Sequence, residues 1–226
     1  MRASERIGEI TVEVRDRDGY REMVAREGGA ELVWTRASLR DPSESGWPYV
    51  DLFHLAAIQA KARRRALFVG CGGAVAVRQF ANLYPGLAID LVEREPQVVE
   101  LARTWYDLDK IPGLNVHIAD GASFVKQALP SSWDVAVIDA FDGSDSTAAL
   151  GQGSFFADVG RALRAAGTLA VNAIGTMDGR GSVGEVISKL RRTFSRVRVV
   201  PVMEADEDYL PSTLRNVVLI ASKGDR

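Results

Sequence analysis

The first part of the chain alternates apolar and polar positions in short runs. The runs cover residues 10–14, 20–25 and 32–35, and the dipeptides Asp18-Gly19 and Gly28-Gly29 separate them. Because successive side chains of a β-strand point to opposite faces and such dipeptides form tight turns, the pattern predicts a small antiparallel β meander. We therefore expect two domains, a meander over residues 1–45 and a larger domain over residues 46–226.

From residue 66 onward, short apolar runs alternate with segments of helical periodicity. Predicted strands are 66–69, 87–92, 114–119, 134–138, 168–173, 196–202 and 216–221. Predicted helices are 74–83, one beginning at Pro96, 122–129, 154–165 and 183–193, with a turn at Gly167. This alternation predicts an α/β domain whose parallel sheet is covered on both faces, and the last two consecutive strands predict an antiparallel hairpin.

Composition narrows the class of protein. The chain has 226 residues, 46% of them hydrophobic, and a net charge of −2, which argues against a nucleic-acid surface as the main function. Its single cysteine, Cys71, forms no internal disulfide, and no apolar run approaches the roughly 20 residues of a membrane helix. His54 and His117 are too few and too far apart to predict a metal site. We expect a cytoplasmic protein without nucleic-acid or membrane partners.

A glycine-rich turn follows the first strand of the α/β part. Gly70, Gly72 and Gly73 stand between that strand and a helix, where missing side chains let a ligand approach the backbone. Glu93 ends the next strand, where a carboxylate can accept both hydroxyls of a ribose. Together they indicate an adenosine or dinucleotide site. A plain tight turn and a solvated Glu93 are the structural alternatives.

Two further positions bear on the kind of nucleotide. Val75 stands where a dinucleotide-binding turn usually has its third glycine, so that pattern is incomplete. Asp120, followed by Gly121, ends the strand 114–119 and could accept a hydrogen bond from an adenine amino group. Asp120 is equally suited to the N-cap of the following helix, and both roles can hold together.

A pair of carboxylates follows the most apolar strand. Asp139 and Asp142 are spaced so that one strand-end loop can present both to the same crevice. Such a pair attracts an ammonium group, and one member can accept its proton so that the nitrogen becomes nucleophilic. Desolvation and mutual repulsion would raise the pKa of that member. The alternative is an ordinary Asp-rich turn.

Taken as a set, these motifs resemble the spermidine synthase family of aminopropyltransferases. The similarity runs from Tyr49 to about Asp142 in the order and spacing of the family, and weakly to Tyr209 near the C-terminus. The resemblance implies a methyltransferase-type Rossmann fold, an α/β fold whose mostly parallel seven-stranded sheet ends in the antiparallel hairpin. It also implies that the N-terminal meander helps form the acceptor side of the cleft and a homodimer contact.

The resemblance further implies roles for individual residues. Decarboxylated S-adenosylmethionine would be the donor, with no metal, and a polyamine or other small amine the acceptor. The residues implied in donor binding are Gly70, Gly72, Gly73, Glu93, Asp120 and Gly121, with Glu93 on the ribose and Asp120 on the adenine. Asp139 would be the base, Asp142 would hold the polyamine, and Tyr49 and Tyr209 would line the acceptor channel; a buried aromatic at a domain junction is the alternative for Tyr49.

Two departures from the family pattern affect substrate choice. Gly73 replaces the aspartate that would contact the aminopropyl ammonium, a contact worth roughly 1.5 to 3 kcal/mol, which favours intact S-adenosylmethionine. Residues 143–153 replace a proline-containing loop, and their three glycines predict a mobile gate. Such a gate would admit acceptors other than putrescine, or it would indicate that polyamine recognition has been lost. Three functions follow, namely aminopropyl transfer, methyl transfer from S-adenosylmethionine, and a non-catalytic nucleoside-binding or scaffolding role.

Overall fold

The chain forms two β-sheets with helices around the larger one. The computed structural model describes residues 1–140, 154–178, 182–203 and 209–224. The first sheet has four strands and the second has seven. Within the described residues, no helix is long and apolar enough to cross a membrane.

The N-terminal sheet is an antiparallel meander of consecutive strands. Its strands are β1 (Ala3–Ile7), β2 (Ile10–Arg17), β3 (Tyr20–Glu27) and β4 (Ala30–Ser38), in the order β1-β2-β3-β4. The sequence predicted the last three. β1 escaped prediction because it is a short edge strand with three exposed residues in the middle, so it has no apolar alternation. The boundary between two domains at residue 45 stays a prediction.

Two short helices connect the sheets; the sequence indicated only a helix end at residues 61–65 and gave bounds for neither helix. They are α1 (Pro48–Leu52), with proline in its first turn, and α2 (His54–Gln59). Helices of five or six residues span less than two turns, so they leave little periodic signal in the sequence. α2 is tied to the larger sheet by the Thr168 hydroxyl, which donates a hydrogen bond of 2.7 Å to the carbonyl of Ala56.

The larger sheet confirms the predicted fold class. Its strands are β5 (Arg65–Val69), β6 (Ala88–Glu93), β7 (Leu114–Ile118), β8 (Trp133–Ile138), β9 (Leu163–Gly175), β10 (Arg196–Pro201) and β11 (Arg215–Ser222). The helices between them are α3 (Val75–Leu83), α4 (Pro96–Tyr106), α5 (Gly121–Gln127), α6 (Phe155–Ala162) and α7 (Ser182–Arg191). The strand order is β10-β11-β9-β8-β5-β6-β7, parallel from β9 to β7, with β11 antiparallel to both β9 and β10.

The turn predicted at Gly167 lies at an irregularity near the start of β9. Helix α6 ends at Ala162, three residues earlier than predicted, and β9 follows it directly. The register with β8 shifts there, since Trp133 pairs with Leu163 whereas Val135 pairs with Thr168. The chain folds back between Arg164 and Gly167, because a Cβ on Gly167 would lie 3.0 Å from the carbonyl of Arg164. The glycine therefore marks a local turn that interrupts the strand pairing.

Strand β8 is at the centre of the fold. All six of its residues are buried, with Val135 and Val137 in one apolar cluster and Ala136 and Ile138 in the other. A strand covered on both faces needs apolar residues throughout, so its near-continuous apolar sequence is expected. The strand therefore delivers the residue that follows it, Asp139, from a rigid support.

The one acidic residue inside β8, Asp134, ties three strands together. Its carboxylate accepts hydrogen bonds from the backbone N–H groups of Arg64 (2.8 Å) and Arg65 (3.0 Å) and from the guanidinium of Arg164 (2.9 Å). Burial alone would raise the pKa of Asp134, but these hydrogen bonds outweigh it and hold the pKa below its ordinary value. Asp134 therefore stabilises the fold as the ionised carboxylate.

We expect Asp134→Ala to lower the free energy of unfolding by about 3 kcal/mol at neutral pH, because it leaves buried donors unpaired. Since the folded-state pKa is depressed, the contribution is present above the unfolded pKa and is lost as the pH falls through the folded pKa. Urea unfolding from neutral to acidic pH checks both points. Asp109→Ala, at an exposed partner of Arg103, is the control, and an equal loss in both variants would contradict the prediction.

Candidate active site

A cavity of about 850 Å³ lies between the two sheets. One wall is formed where the parallel strands β5, β6, β7 and β8 end, which is the usual ligand site of such sheets. The opposite wall comes from the meander, with Ile7 and Glu27 near its hairpin turns and Trp34, Thr35 and Arg36 on β4. The volume is in the range of small-molecule sites.

Most of the predicted site residues meet at this cavity. The described residues among them that line it are Tyr49, Gly70, Gly72, Glu93, Asp120, Gly121 and Asp139. Gly73 and Tyr209 are not among the described lining residues; the Tyr209 ring is half exposed and lies 5.6 Å from the guanidinium of Arg215. Asp142 and the predicted gate loop, residues 143–153, lie outside the described residues.

Glu93 is held across the glycine turn by two backbone hydrogen bonds. Its Oε2 accepts from the N–H of Cys71 and its Oε1 from the N–H of Glu95, both at 2.9 Å. A carboxylate has about four acceptor positions, so these bonds fix its orientation and leave capacity for a ligand. Glu93 thus has a fixed orientation on the cavity wall and is not a freely solvated side chain.

Asp120 combines a structural role with a position on the cavity wall. It is the N-cap of α5, and its Oδ1 accepts a hydrogen bond of 2.8 Å from the backbone N–H of Ser123. Hydrogen bonds from Ser123 lower the pKa of Asp120, so it is ionised at neutral pH. The cap interaction predicted from the sequence is present, and it aims an anionic acceptor at the cavity.

The three glycines of the turn are required by contacts with the protein itself. A Cβ on Gly70, which has φ of +98°, would lie within 3 Å of the carbonyl of Asp139. On Gly72 or Gly73 it would lie equally close to the side chain of Thr35. The Thr35 hydroxyl also accepts a hydrogen bond of 2.8 Å from the N–H of Gly73. The turn therefore packs against β4 as well as lining the cavity.

Position 73 has no room for the aspartate that the resembled family carries there. A Cβ on Gly73 would lie 2.5 Å from Thr35 and 2.6 Å from the ring of Tyr106. Thr35 and Tyr106 therefore occupy the space that a side chain at this position would need. No carboxylate reaches the cavity from this position.

Asp139 is paired with an amide that sequence reasoning missed. The Nδ2 of Asn172, on β9, donates a hydrogen bond of 2.9 Å to Oδ1 of Asp139. Burial raises the pKa of Asp139 to about 6, and the bond from Asn172 opposes that rise. Asp139 is thus ionised at neutral pH yet has raised proton affinity, as a general base requires. In the sequence, the one signal for Asn172 was that it is the single amide residue within the apolar run 168–173.

Tyr49 closes the cavity beside Asp139. It is buried, and its ring stacks on Trp47 with centroids 5.8 Å apart and meets Phe53 edge to face. Burial, and then the charge of Asp139, raises the pKa of Tyr49 well above its ordinary value. Its hydroxyl therefore stays protonated, and the ring serves both as packing and as cavity wall.

The cavity is acidic overall. The described lining residues include five carboxylates, Glu27, Glu93, Glu95, Asp120 and Asp139, and two guanidinium groups, Arg36 and Arg94. Arg94 pairs with Glu95 at 2.9 Å. Such an arrangement attracts cations and repels anions.

Other chemistry has less support in these residues. Burial raises the pKa of the Cys71 thiol well above its ordinary value, so the sulfur stays protonated and is a poor nucleophile. In the part of the chain that the structure describes, no group of three or more His, Cys, Asp or Glu residues could hold a metal ion.

The fold and the cavity together define the class of protein. A mostly parallel seven-stranded sheet with a C-terminal antiparallel hairpin, and with acidic residues at the strand ends, is a methyltransferase-type Rossmann fold. The family model described as "Spermine/spermidine synthase domain" matches residues 50–210, which is more than half of the chain. The chain therefore belongs to the spermine/spermidine synthase family.

Individual relatives have low sequence identity. Spermidine synthase 1 of Hyoscyamus niger is 25% identical over 62% of this chain and 46% of its own length. Putrescine N-methyltransferase 2 of Nicotiana attenuata is 26% identical over 70% of this chain and 44% of its own. The chain thus spans about half the length of the curated relatives it matches. A solved structure of a probable spermidine synthase from Corynebacterium glutamicum has the same fold, with 21% identity, a TM-score of 0.81, and coverage of 99% of this chain and 81% of that one.

The packing at position 73 gives a stability prediction. We expect Gly73→Ala to lower the free energy of unfolding by about 2 kcal/mol, because the new methyl group collides with Thr35 and Tyr106. Gly184→Ala is the control, since that helical glycine has nothing within 4 Å of its added Cβ and should gain up to about 1 kcal/mol. Urea unfolding of both variants checks this, and a neutral Gly73→Ala would contradict the packing argument.

Proposed function

We propose that this protein transfers an aminopropyl group from decarboxylated S-adenosylmethionine to a small amine. The observation that carries the proposal is Asp139, a carboxyl group with a pKa of about 6 at the end of a buried strand and on the wall of an acidic cavity. Membership of the spermine/spermidine synthase family supports the same reaction class.

The residues of the strand-end wall fit an adenosyl donor. Glu93 presents oriented carboxylate oxygens for the ribose, and the ionised Asp120 presents an acceptor for the adenine. Gly70, Gly72 and Gly121 allow close approach to the backbone at the same wall. The donor, as a sulfonium, supplies an electrophilic carbon and a neutral thioether leaving group.

Asp139 has the role of general base. The acceptor amine reaches the site as an ammonium ion, which the acidic lining attracts. Asp139 accepts its proton, the freed lone pair forms the new C–N bond, and the C–S bond breaks to release the thioether. We assign Asp142 to hold the acceptor, from the resemblance alone, and Tyr49 to bound its channel. Most of the rate would come from positioning both reactants in one desolvated cleft.

The charge of the cavity favours the decarboxylated donor. Intact S-adenosylmethionine would bring a carboxylate toward a lining with five acidic groups and two guanidinium groups among the described residues. The absence of a carboxylate at position 73 acts in the opposite direction, because it removes a partner for the aminopropyl ammonium. Methyl transfer is therefore the second candidate, and the similarity to putrescine N-methyltransferases supports it.

Asp139→Asn should lower turnover at neutral pH by at least about 100-fold, in line with the loss of a general base. Donor affinity should change little, because Glu93 and Asp120 are untouched. In the wild type, kcat/KM should rise with pH through about 6, since Asp139 must be ionised, and the variant should lack this rise. The control is Asp18→Asn, at an exposed turn position, and full activity of Asp139→Asn would disprove the assigned role.

Calorimetric titration with the two donors separates aminopropyl from methyl transfer. We expect the decarboxylated donor to bind at least tenfold more tightly, about 1.4 kcal/mol, and methylthioadenosine to be released when putrescine is added. A preference for intact S-adenosylmethionine, with S-adenosylhomocysteine as the product, would instead establish methyl transfer.

A further inference from the structure

We propose that Asn172 is a positioning residue that orients the carboxylate of Asp139 and sets its proton affinity. The inference rests on the proposed role of Asp139 as base, and it assigns a function to a residue that does not itself line the cavity among the described residues. Three observations carry it: strand register, burial, and the unequal bonding of the two amide atoms.

Strand register brings the two side chains together. β8 and β9 are parallel, and Ile138 pairs with Val171, so the next residues, Asp139 and Asn172, are adjacent. In-register neighbours on parallel strands point to the same face of a sheet. The hydrogen bond of 2.9 Å from Nδ2 of Asn172 to Oδ1 of Asp139 is thus a product of the central sheet and not of a loop.

Among the described residues, the hydrogen bond to Asp139 is the only one that offsets the cost of burying the Asn172 amide. The residue is 1% exposed, and its Oδ1 has no hydrogen-bond partner among the described residues. An unsatisfied buried polar atom destabilises a fold, and an apolar side chain of the same size would avoid the penalty. Ala170, the preceding residue on that face, is apolar. The amide is therefore explained by its contact with Asp139 better than by stability.

The direction of the hydrogen bond favours the ionised form of the base. An amide N–H can donate to a carboxylate, and it stabilises the charged form that must accept a proton. It also holds Oδ1, so we assign Oδ2 as the oxygen that receives the proton from the amine. Without this donor, the carboxyl group should rotate more freely and should be harder to ionise.

Asn172→Leu tests the assignment, because leucine has similar size and no donor. We expect the protonation midpoint of Asp139, followed by infrared titration against Asp139→Asn as the blank, to rise by about one pH unit. The low-pH limb of kcat/KM, measured with decarboxylated S-adenosylmethionine and putrescine, should move by the same amount. Asn172→Gln, which keeps an amide donor, should restore part of the shift.

Thr168→Val is the matched control. Thr168 lies on the same strand and face, is equally buried, and donates its hydroxyl hydrogen to Ala56 and not to Asp139. Its loss should lower the Tm and leave the midpoint of Asp139 unchanged. The Tm and circular dichroism of all variants separate folding defects from the effect on the carboxyl group.

The outcomes are distinguishable. A shifted midpoint in Asn172→Leu but not in Thr168→Val supports the assignment. An unchanged midpoint in folded Asn172→Leu overturns it; if that variant does not fold, an unchanged midpoint in Asn172→Ala, which also lacks a donor, overturns it equally. Full activity of Asp139→Asn would instead overturn the proposed function on which the assignment rests. The infrared titration does not depend on turnover, so it would still show whether Asn172 acts on the carboxyl group.

Discussion

The close approach of three backbone segments at the glycine turn is the constraint on which the rest of the structure depends. At Gly70 the turn after β5 meets the carbonyl of Asp139 with no space for a Cβ. At Gly72 and Gly73 the same turn meets Thr35 of β4. The turn therefore contacts both the end of the central strand and the N-terminal sheet. Both walls of the cavity are positioned from it.

This arrangement fixes the carboxyl group of Asp139, which is half-buried on the cavity wall. Asp139 follows a strand that is buried on both faces, its carbonyl packs on Gly70, and its carboxylate is bonded to Asn172 on the next strand. Each of these supports comes from the strands of the central sheet or the turn after β5. A carboxyl group with raised proton affinity loses solvation, so it persists only where rigid neighbours fix its surroundings.

The sequence predicted the parts of the fold and site that depend on local patterns. Alternating strands and helices predicted the parallel sheet, and the strand ends located Glu93, Asp120 and Asp139 at one crevice. Local patterns could not predict Thr35, because its partner Gly73 is 38 residues away in the sequence. Nor could they predict Asn172, because its importance depends on strand register.

The same packing changes how the departure at position 73 should be interpreted. A substitution that simply deleted a donor ligand would leave an empty space, but here Thr35 and Tyr106 fill it. Placing an aspartate there would therefore require both neighbours to move. Under the proposed function, selection between donors would then come from the remaining lining. Among the described residues, its excess of carboxylates over guanidinium groups would repel a carboxylate wherever the donor tail lies, whereas a single contact acts only at one place. The proposed donor choice thus depends on the electrostatic field of the cavity more than on one residue.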